Sequence, residues 1–451
     1  MRHRVLLISL YHPAIVRGGA QQLCYELFNA LKKTEFEPIL LASVEHSSDP
    51  ALFKSGAYIT GFDGRRNEFV FLCQGYDHVW HKNKQPVSLE KFESFLSSTA
   101  PTVIHFHHFV TFGLEYLAAA RRHLDRVGGR LILTFHEFLA ICLAYGQMVR
   151  ATNGSLCDRA SSVRCHQCYP GYTPEFFSMR RMWIQRHLDF VDVFVAPSEF
   201  LRRRYIEWGI PEHKIICILN GHRYQSVPSW NTSENAAVTR NRNRFAFLGQ
   251  LFDTKGLGVL FDAICLLRRR GISDFNVDVY GSNLNIASDK FRDQFESFFN
   301  NEQDEGGEER VRFHGSYDHS NLGRIMEGVD WILVPSTWWE NNPLVVGEAF
   351  LYGKPVICSN IGGMAERVHD DKDGLHFIVG DGSSLANVMT RAMSETGLWE
   401  RLRKNIAPPP TIDTMAHEHI VRCYEPPPAG VSSRTKSLIG SRNLTSLHSV
   451  S

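Results

Sequence analysis

The chain has 451 residues, 43% hydrophobic and 22% charged, too long for one ordinary core and too apolar for a disordered protein, which points to two domains of roughly 200 residues each. Its 49 basic and 48 acidic side chains leave a formal charge of +1, so bulk attraction to nucleic acid is excluded as a mode of action and no nucleic-acid partner is expected. Residues 1–221 carry 25 basic and 20 acidic groups against 24 and 28 in the remainder. That asymmetry favours an anionic ligand or a membrane surface beside the first half, although a solvated basic face accounts for it equally well.

Met1-Arg-His-Arg followed by Val5–Leu10 has the outline of a signal peptide, but the apolar run is too short and His12-Pro13 follows, so a first strand is predicted at Val5–Ser9. No apolar run approaches the ~20 residues that cross a bilayer, and ten cysteines in so long a chain do not suit an oxidised secreted scaffold. A cytoplasmic protein is expected, with peripheral contact on the inner membrane face left open. Gly18-Gly19 then leads into a helical pattern at Ala20–Leu31, where glycine allows close approach of a ligand to a helix start; a bare turn explains the pair as well. Further strands are predicted at Pro38–Ala42, Val103–Phe106, Leu131–Phe135, Val193–Ala196 and Ile215–Leu219, with Asn220-Gly221 as a closing turn.

Histidines gather at two of these strand ends. His105-Phe-His107-His108 ends one and Thr134-Phe-His136-Glu137 ends another; a lone histidine is usually structural, but several around one cleft can orient sugar hydroxyls. Cys142, Cys157, Cys165 and Cys168 lie in the loop 142–168 and can supply four thiolates to a structural zinc ion. Free thiols and an iron–sulfur cluster are the competing readings. Arg180-Arg181-Met182-Trp183 and Arg202-Arg203-Arg204-Tyr205 could rest on an anionic membrane, although exposed helix faces fit better.

Residues 222–243 are polar and aperiodic and read as a linker. The alternation resumes with strands at Phe245–Leu248, Val277–Tyr280, Val311–His314, Trp331–Val334 and Pro355–Cys358. Residues 289–309 end in an acidic surface loop, 411–424 form a helix able to pack back on the first domain, and 425–451 are a Pro- and Ser-rich disordered tail. Alternation of this kind, twice over, predicts an α/β fold of two Rossmann-like parallel-sheet domains, 1–221 and 244–410, with the ligand in the cleft between them.

The most informative segment runs from Val334 to Phe350, VPSTWWENNPLVVGEAF. Asn342 can cap a helix there, Pro343 suits its first position and Gly353 its end. The amide-rich start formed by Asn341, Asn342, Pro343, Leu344 and Val345 is an anion site suited to a diphosphate. Glu340 lies just before the helix and Glu348 within it, where carboxylates can accept bonds from vicinal hydroxyls of a ribose or a sugar ring. A capped amphipathic helix with two ordinary glutamates fits the spacing alone as well.

This segment resembles the Glu-x7-Glu signature of family 4 retaining glycosyltransferases, which have the GT-B fold. Phe247-Leu-Gly-Gln250-Leu251 with Lys255-Gly256, Val279-Tyr-Gly-Ser282, Pro355–Gly363 and Asp373–Phe377 follow in that family's order, and the similarity covers most of residues 1–424. The resemblance implies that Glu340 meets the donor sugar, Glu348 holds the ribose, Gly18 and Gly19 face the phosphates and His136 contacts the sugar. It implies His136 and Glu340 as catalytic residues. His107 and His108 are the expected acceptor contacts. Many members carry Arg where this chain has Gln250, which leaves Lys255 as the main cation for the diphosphate; a solvated loop lysine is its competing reading. The expected activity is retaining transfer of a sugar from a nucleoside diphosphate to the hydroxyl of a sugar or lipid-linked acceptor, in polysaccharide or glycoconjugate synthesis, without a catalytic cofactor. A nucleotide-sugar epimerase or phosphorylase, or a non-catalytic nucleotide-sugar-binding protein, are the alternatives. A nicotinamide dehydrogenase is disfavoured, since no G-x-G-x-x-G follows either domain's first strand.

Overall fold

Apolar residues that alternate along a strand can be buried on both faces only if helices cover both sides of the sheet. β1 (Arg4–Ser9) shows this directly, because every residue after Arg4 is buried. Leu6 and Ile8 face one apolar cluster and Val5 and Leu7 the other. The computed structural model describes residues 3–44, 57–223, 241–304 and 310–425. Most of the predicted linker (224–240), the end of the acidic loop (305–309) and nearly all of the predicted tail (426–451) lie outside these residues.

The first lobe continues with β2 (Glu37–Val44), β3 (Ile59–Gly61), β4 (Glu68–Leu72), a small hairpin of β5 (Tyr76–Asp77) and β6 (Lys82–Asn83), β7 (Val103–Phe106), β8 (Arg130–Thr134), β9 (Val193–Ala196) and β10 (Ile215–Cys217). Eight of these strands form one sheet in the order β10-β9-β8-β7-β1-β2-β4-β3. All its pairs are parallel except β3 with β4. The second lobe has β11 (Arg244–Leu248), β12 (Asn276–Tyr280), β13 (Val311–Gly315), β14 (Trp331–Val334), β15 (Val356–Ser359) and β16 (Gly374–Phe377). They form a parallel sheet in the order β13-β12-β11-β14-β15-β16.

In each sheet the first strand has a later strand as one neighbour, so the crossovers turn opposite ways from that point. These switch points, β1/β7 and β11/β14, are where loops part and leave a crevice at the strands' carboxyl ends. The mixed α/β chain therefore has two Rossmann-like parallel-sheet domains in the GT-B arrangement.

Two chain segments join the lobes side by side. His222 donates its amide to Pro410 (2.9 Å), and its carbonyl accepts from Ile412 (3.1 Å). The helix Ile412–His419, capped by the Thr411 hydroxyl, then returns to the first lobe. Ile412, Met415, Cys423 and Tyr424 are buried there beside Val5 and Leu7. The Tyr424 hydroxyl is 2.8 Å from His105 Nδ1, which ties the returning segment to β7.

Candidate active site at the paired switch points

The loop leaving β11 turns through Gly256 at φ +78°, where a Cβ would run into the Pro335 carbonyl at the end of β14. That close approach delivers Lys255 to the segment leaving β14, with its Nζ 2.6 Å from Glu340 Oε1. The same oxygen accepts from Ser336 Oγ (2.9 Å) and Trp338 Nε1 (2.9 Å). Glu340 is thus a buried carboxylate with three donors on one oxygen. Its backbone is fixed as well: the Glu340 carbonyl accepts from Gly363 N (2.6 Å), and a Cβ on Gly363 would overlap the Asn341 carbonyl.

The helix expected to start at Pro343 spans Leu344–Leu351 instead, with Pro343 itself as the extended N-cap residue and no side-chain cap. Asn342 does not cap it, because its amide donates to the Pro197 carbonyl of the first lobe (2.8 Å) while its own carbonyl accepts from Asn220 (3.2 Å). Asn341 likewise reaches across, donating to the His136 carbonyl at 2.5 Å. Both asparagine side chains therefore hold the two lobes together. The helix start remains uncapped beside Gly19, whose Cβ position lies 3.6 Å from Leu344 Cδ1, so the amide ends of the Gly19–Leu31 and Leu344–Leu351 helices meet across the cleft. Val345 is half-buried against the second lobe's core. Glu348, inside the helix, bonds His319 Nε2 at 3.0 Å, and this pair lines a small cavity with His222, Arg223 and Tyr352. The hydrogen bond to Glu348 raises the His319 pKa against the opposing effect of burial. Gln250 is half-buried directly after Gly249 in the loop that leads to Lys255.

Across the cleft, His107 and His108 follow β7 and His136 follows β8. His107 Nδ1 is 3.3 Å from His136 Nε2, with the rings stacked at 5.5 Å. Burial drives the His107 pKa well below its ordinary value and lowers that of His136 to about 4, which Glu137 only partly opposes. Both imidazoles are neutral near pH 7, so each ring has one donor and one acceptor nitrogen. His108 Nε2 lies 2.9 Å from Glu137 Oε1. Burial alone would raise the Glu137 pKa, but the His108 contact outweighs it and holds the carboxyl below its ordinary range.

Several contributors were not singled out in the sequence. Ser336 and Trp338 flank Glu340 closely enough to have been suspected as its donors. His319 and Glu366 have no motif to mark them; Glu366 accepts from the amides of Glu199 (2.8 Å) and Phe200 (2.6 Å), so a second-lobe carboxylate caps a first-lobe helix. The basic–aromatic clusters serve largely internal roles. Arg180 is buried, Trp183 donates to the Trp80 carbonyl, Arg202 pairs with Glu199 and Glu212, and Arg204 lies over Trp339. No helix among the described residues is long and apolar enough to cross a membrane. The four cysteines line one cavity, but no three His, Cys, Asp or Glu side chains among the described residues are arranged to hold a metal ion.

Residues 17–223 match the family model described as Glycosyltransferase Family 4, and residues 229–407 match that of Glycosyl transferases group 1. The two models together span both lobes, which are similar to glycosyltransferases of family 4 and of group 1. Among curated relatives, an uncharacterized 41.2 kDa protein in the cps region of Klebsiella pneumoniae is 25% identical over 235 residues, covering 48% of this chain and 60% of the relative. The uncharacterized glycosyltransferase MJ1607 of Methanocaldococcus jannaschii is 26% identical over 206 residues, covering 44% and 50%. The matched region thus spans 60% and 50% of these relatives' length, under two thirds of either. Among solved structures, Alr3699/HepE of Anabaena in complex with UDP and glucose superposes with a TM-score of 0.60 at 15% identity, covering 92% of this chain and 98% of that one.

Proposed function

We propose that this protein is a retaining glycosyltransferase that transfers a sugar from a nucleoside diphosphate to an acceptor hydroxyl within the cleft. The observation that carries this reading is the meeting of two uncapped helix starts at Gly19 and Leu344, with the Lys255–Glu340 pair at the neighbouring strand ends. Free amides and an ammonium group suit a diphosphate. All three protein donors to Glu340 fall on Oε1, which leaves Oε2 for a sugar hydroxyl. Glu348, one helical turn in, is the ribose partner, and His136 serves the sugar from the opposite lobe with a ring that is neutral at working pH.

In the reaction the anomeric C–O bond breaks with its electron pair leaving on the diphosphate. The acceptor oxygen forms the new bond on the same face, and its proton passes to the departing phosphate. Lys255 and the helix amides stabilise the charge that develops there. Glu137 is engaged by His108, which argues against a free carboxylate nucleophile beside His136. The acceptor is taken to be a sugar or lipid-linked hydroxyl positioned by His107 and His108, in polysaccharide or glycoconjugate synthesis.

The Anabaena structures hold UDP or UDP-glucose, so uridine diphosphate sugars come first in a donor screen. The test is incubation with labelled nucleotide sugars and a panel of acceptors, followed by analysis of the anomeric configuration of the product. An α-linked product from an α-linked donor supports the proposal. An inverted product, or donor conversion with no acceptor glycosylated, contradicts it.

A further inference from the structure

The segment between the His136 strand end and the helix Pro174–Leu188 is anchored in the core only as far as Met148. No residue from 149 to 170 is buried. The segment nevertheless keeps defined structure: a bridge joins Val149 to Leu156, and Ser161 caps the helix Ser162–Cys168. Only Cys157 and Ala160 of this stretch pack against the core, and chain that buries so little apolar surface is commonly fixed by cross-links or metal ions.

Four thiols converge on this segment. Cys142, Cys157, Cys165 and Cys168 all line one cavity of about 30 Å³, room for about one or two water-sized bodies. All four are free thiols. The Ala151 amide donates to Cys168 Sγ at 3.2 Å, and the Ala144 and Met148 backbones hydrogen-bond the Cys142 sulfur, partly opposing the burial that raises its pKa to about 11. Amides aimed at sulfur stabilise thiolates, the form that binds metal. Buried Arg180 points to the same chemistry from another side. It donates to the carbonyls of Val79, Ala140 and Leu139 and contacts His81 Nε2, while no carboxylate among the described residues pairs with it. Burial lowers the Arg180 pKa, and Cys142 and Cys165 are the first of the groups that oppose it. A buried cation without a counter-ion is costly, and a dianionic tetrathiolate–metal centre supplies the missing charge.

We infer that Cys142, Cys157, Cys165 and Cys168, which line one cavity, form a structural zinc site. The sulfurs surround the cavity without standing in ligating positions, so side-chain rotation across that small gap completes the site. Each thiol gives its proton to solvent as it binds. Four cysteines and no open position favour zinc held for structure. The site has a consequence for the cleft, because Trp339 Nε1, adjacent to Glu340, donates to the Cys157 carbonyl at 3.1 Å.

The test uses the full chain, untagged and purified from zinc-replete cells. Elemental analysis is expected to find about one zinc per chain and no iron. Protein produced with cobalt is expected to show the intense visible bands of a tetrahedral thiolate site. A C165S/C168S double variant should lose the metal, while C265S, which removes an exposed cysteine elsewhere, should keep it. Should the double variant be insoluble, wild-type metal content and the cobalt spectrum decide. Wild-type protein without stoichiometric zinc, iron with acid-labile sulfide in its place, or full zinc retention by C165S/C168S would overturn the inference.

Discussion

Where β7 and β8 reach the cleft, the first lobe presents His107, His108 and His136, buried or half-buried and, at His107 and His136, held neutral. Where β11 and β14 reach it, the second lobe presents Lys255 against Glu340 and the uncapped helix start at Leu344. One topology thus carries two electrostatic designs. The second lobe offers charge and free amides to a diphosphate. The first offers neutral donors and acceptors that can bond a hydroxyl without paying to desolvate an ion. The histidines respond to protons in opposite senses as well: burial lowers His81, His107, His136 and His419 on the first lobe, whereas Glu348 raises His319 on the second.

Glu340→Gln breaks this contrast most severely, since it removes the carboxylate on which Lys255, Ser336 and Trp338 converge. Transfer rate is expected to fall by about 10²–10³-fold with little loss of fold, measured by steady-state kinetics alongside circular dichroism. His136→Ala, on the other lobe, should cost about 10²-fold; equal activity to wild type would remove that lobe from the chemistry.

Gly256→Ala sets a Cβ against the Pro335 carbonyl in a left-handed conformation. It should destabilise the second lobe by about 1–3 kcal/mol, read as a lowered midpoint for that lobe's urea transition, with the first lobe's transition unmoved.

Acid sharpens the comparison from the other side. His136 and His419, with native pKa values of about 4 against an ordinary 6.5, take up their protons only in the unfolded chain between those values. Their contribution to stability is therefore complete above pH 6.5 and is lost as pH falls toward 4. The first lobe's melting temperature should drop over that window, and His136→Asn should flatten the drop.

Smallest is Tyr424→Phe, which leaves His105 Nδ1 without its 2.8 Å partner. A loss of about 1 kcal/mol in first-lobe stability is expected from chemical denaturation.

Most of the fold was legible because parallel strands buried on both faces read as continuous apolar runs; Val103–Phe106, Val193–Ala196 and Trp331–Val334 have the predicted bounds. β4 escaped because it begins with Glu68, a buried carboxylate met by His12 and Lys32 from distant parts of the chain. β16 escaped because Gly374 and His376 break its apolar run. The strand-end positions of the candidate residues followed from the alternation of elements. The destinations of Asn341, Asn342 and Glu366 did not, since each bonds a group more than a hundred residues away on the other lobe. Local spacing fixes what leaves a strand; only the closed pair of lobes determines what it meets.

The central claim is that the cleft grips a diphosphate through Lys255 and the adjoining helix amides. Calorimetric titration with UDP, ADP and GDP, each against its parent nucleoside, tests it most directly. At least one diphosphate should bind more tightly than its nucleoside, and Lys255→Ala should shrink that difference by about tenfold or more. Equal binding of every diphosphate and its nucleoside, or a difference that survives intact in Lys255→Ala, would contradict the account.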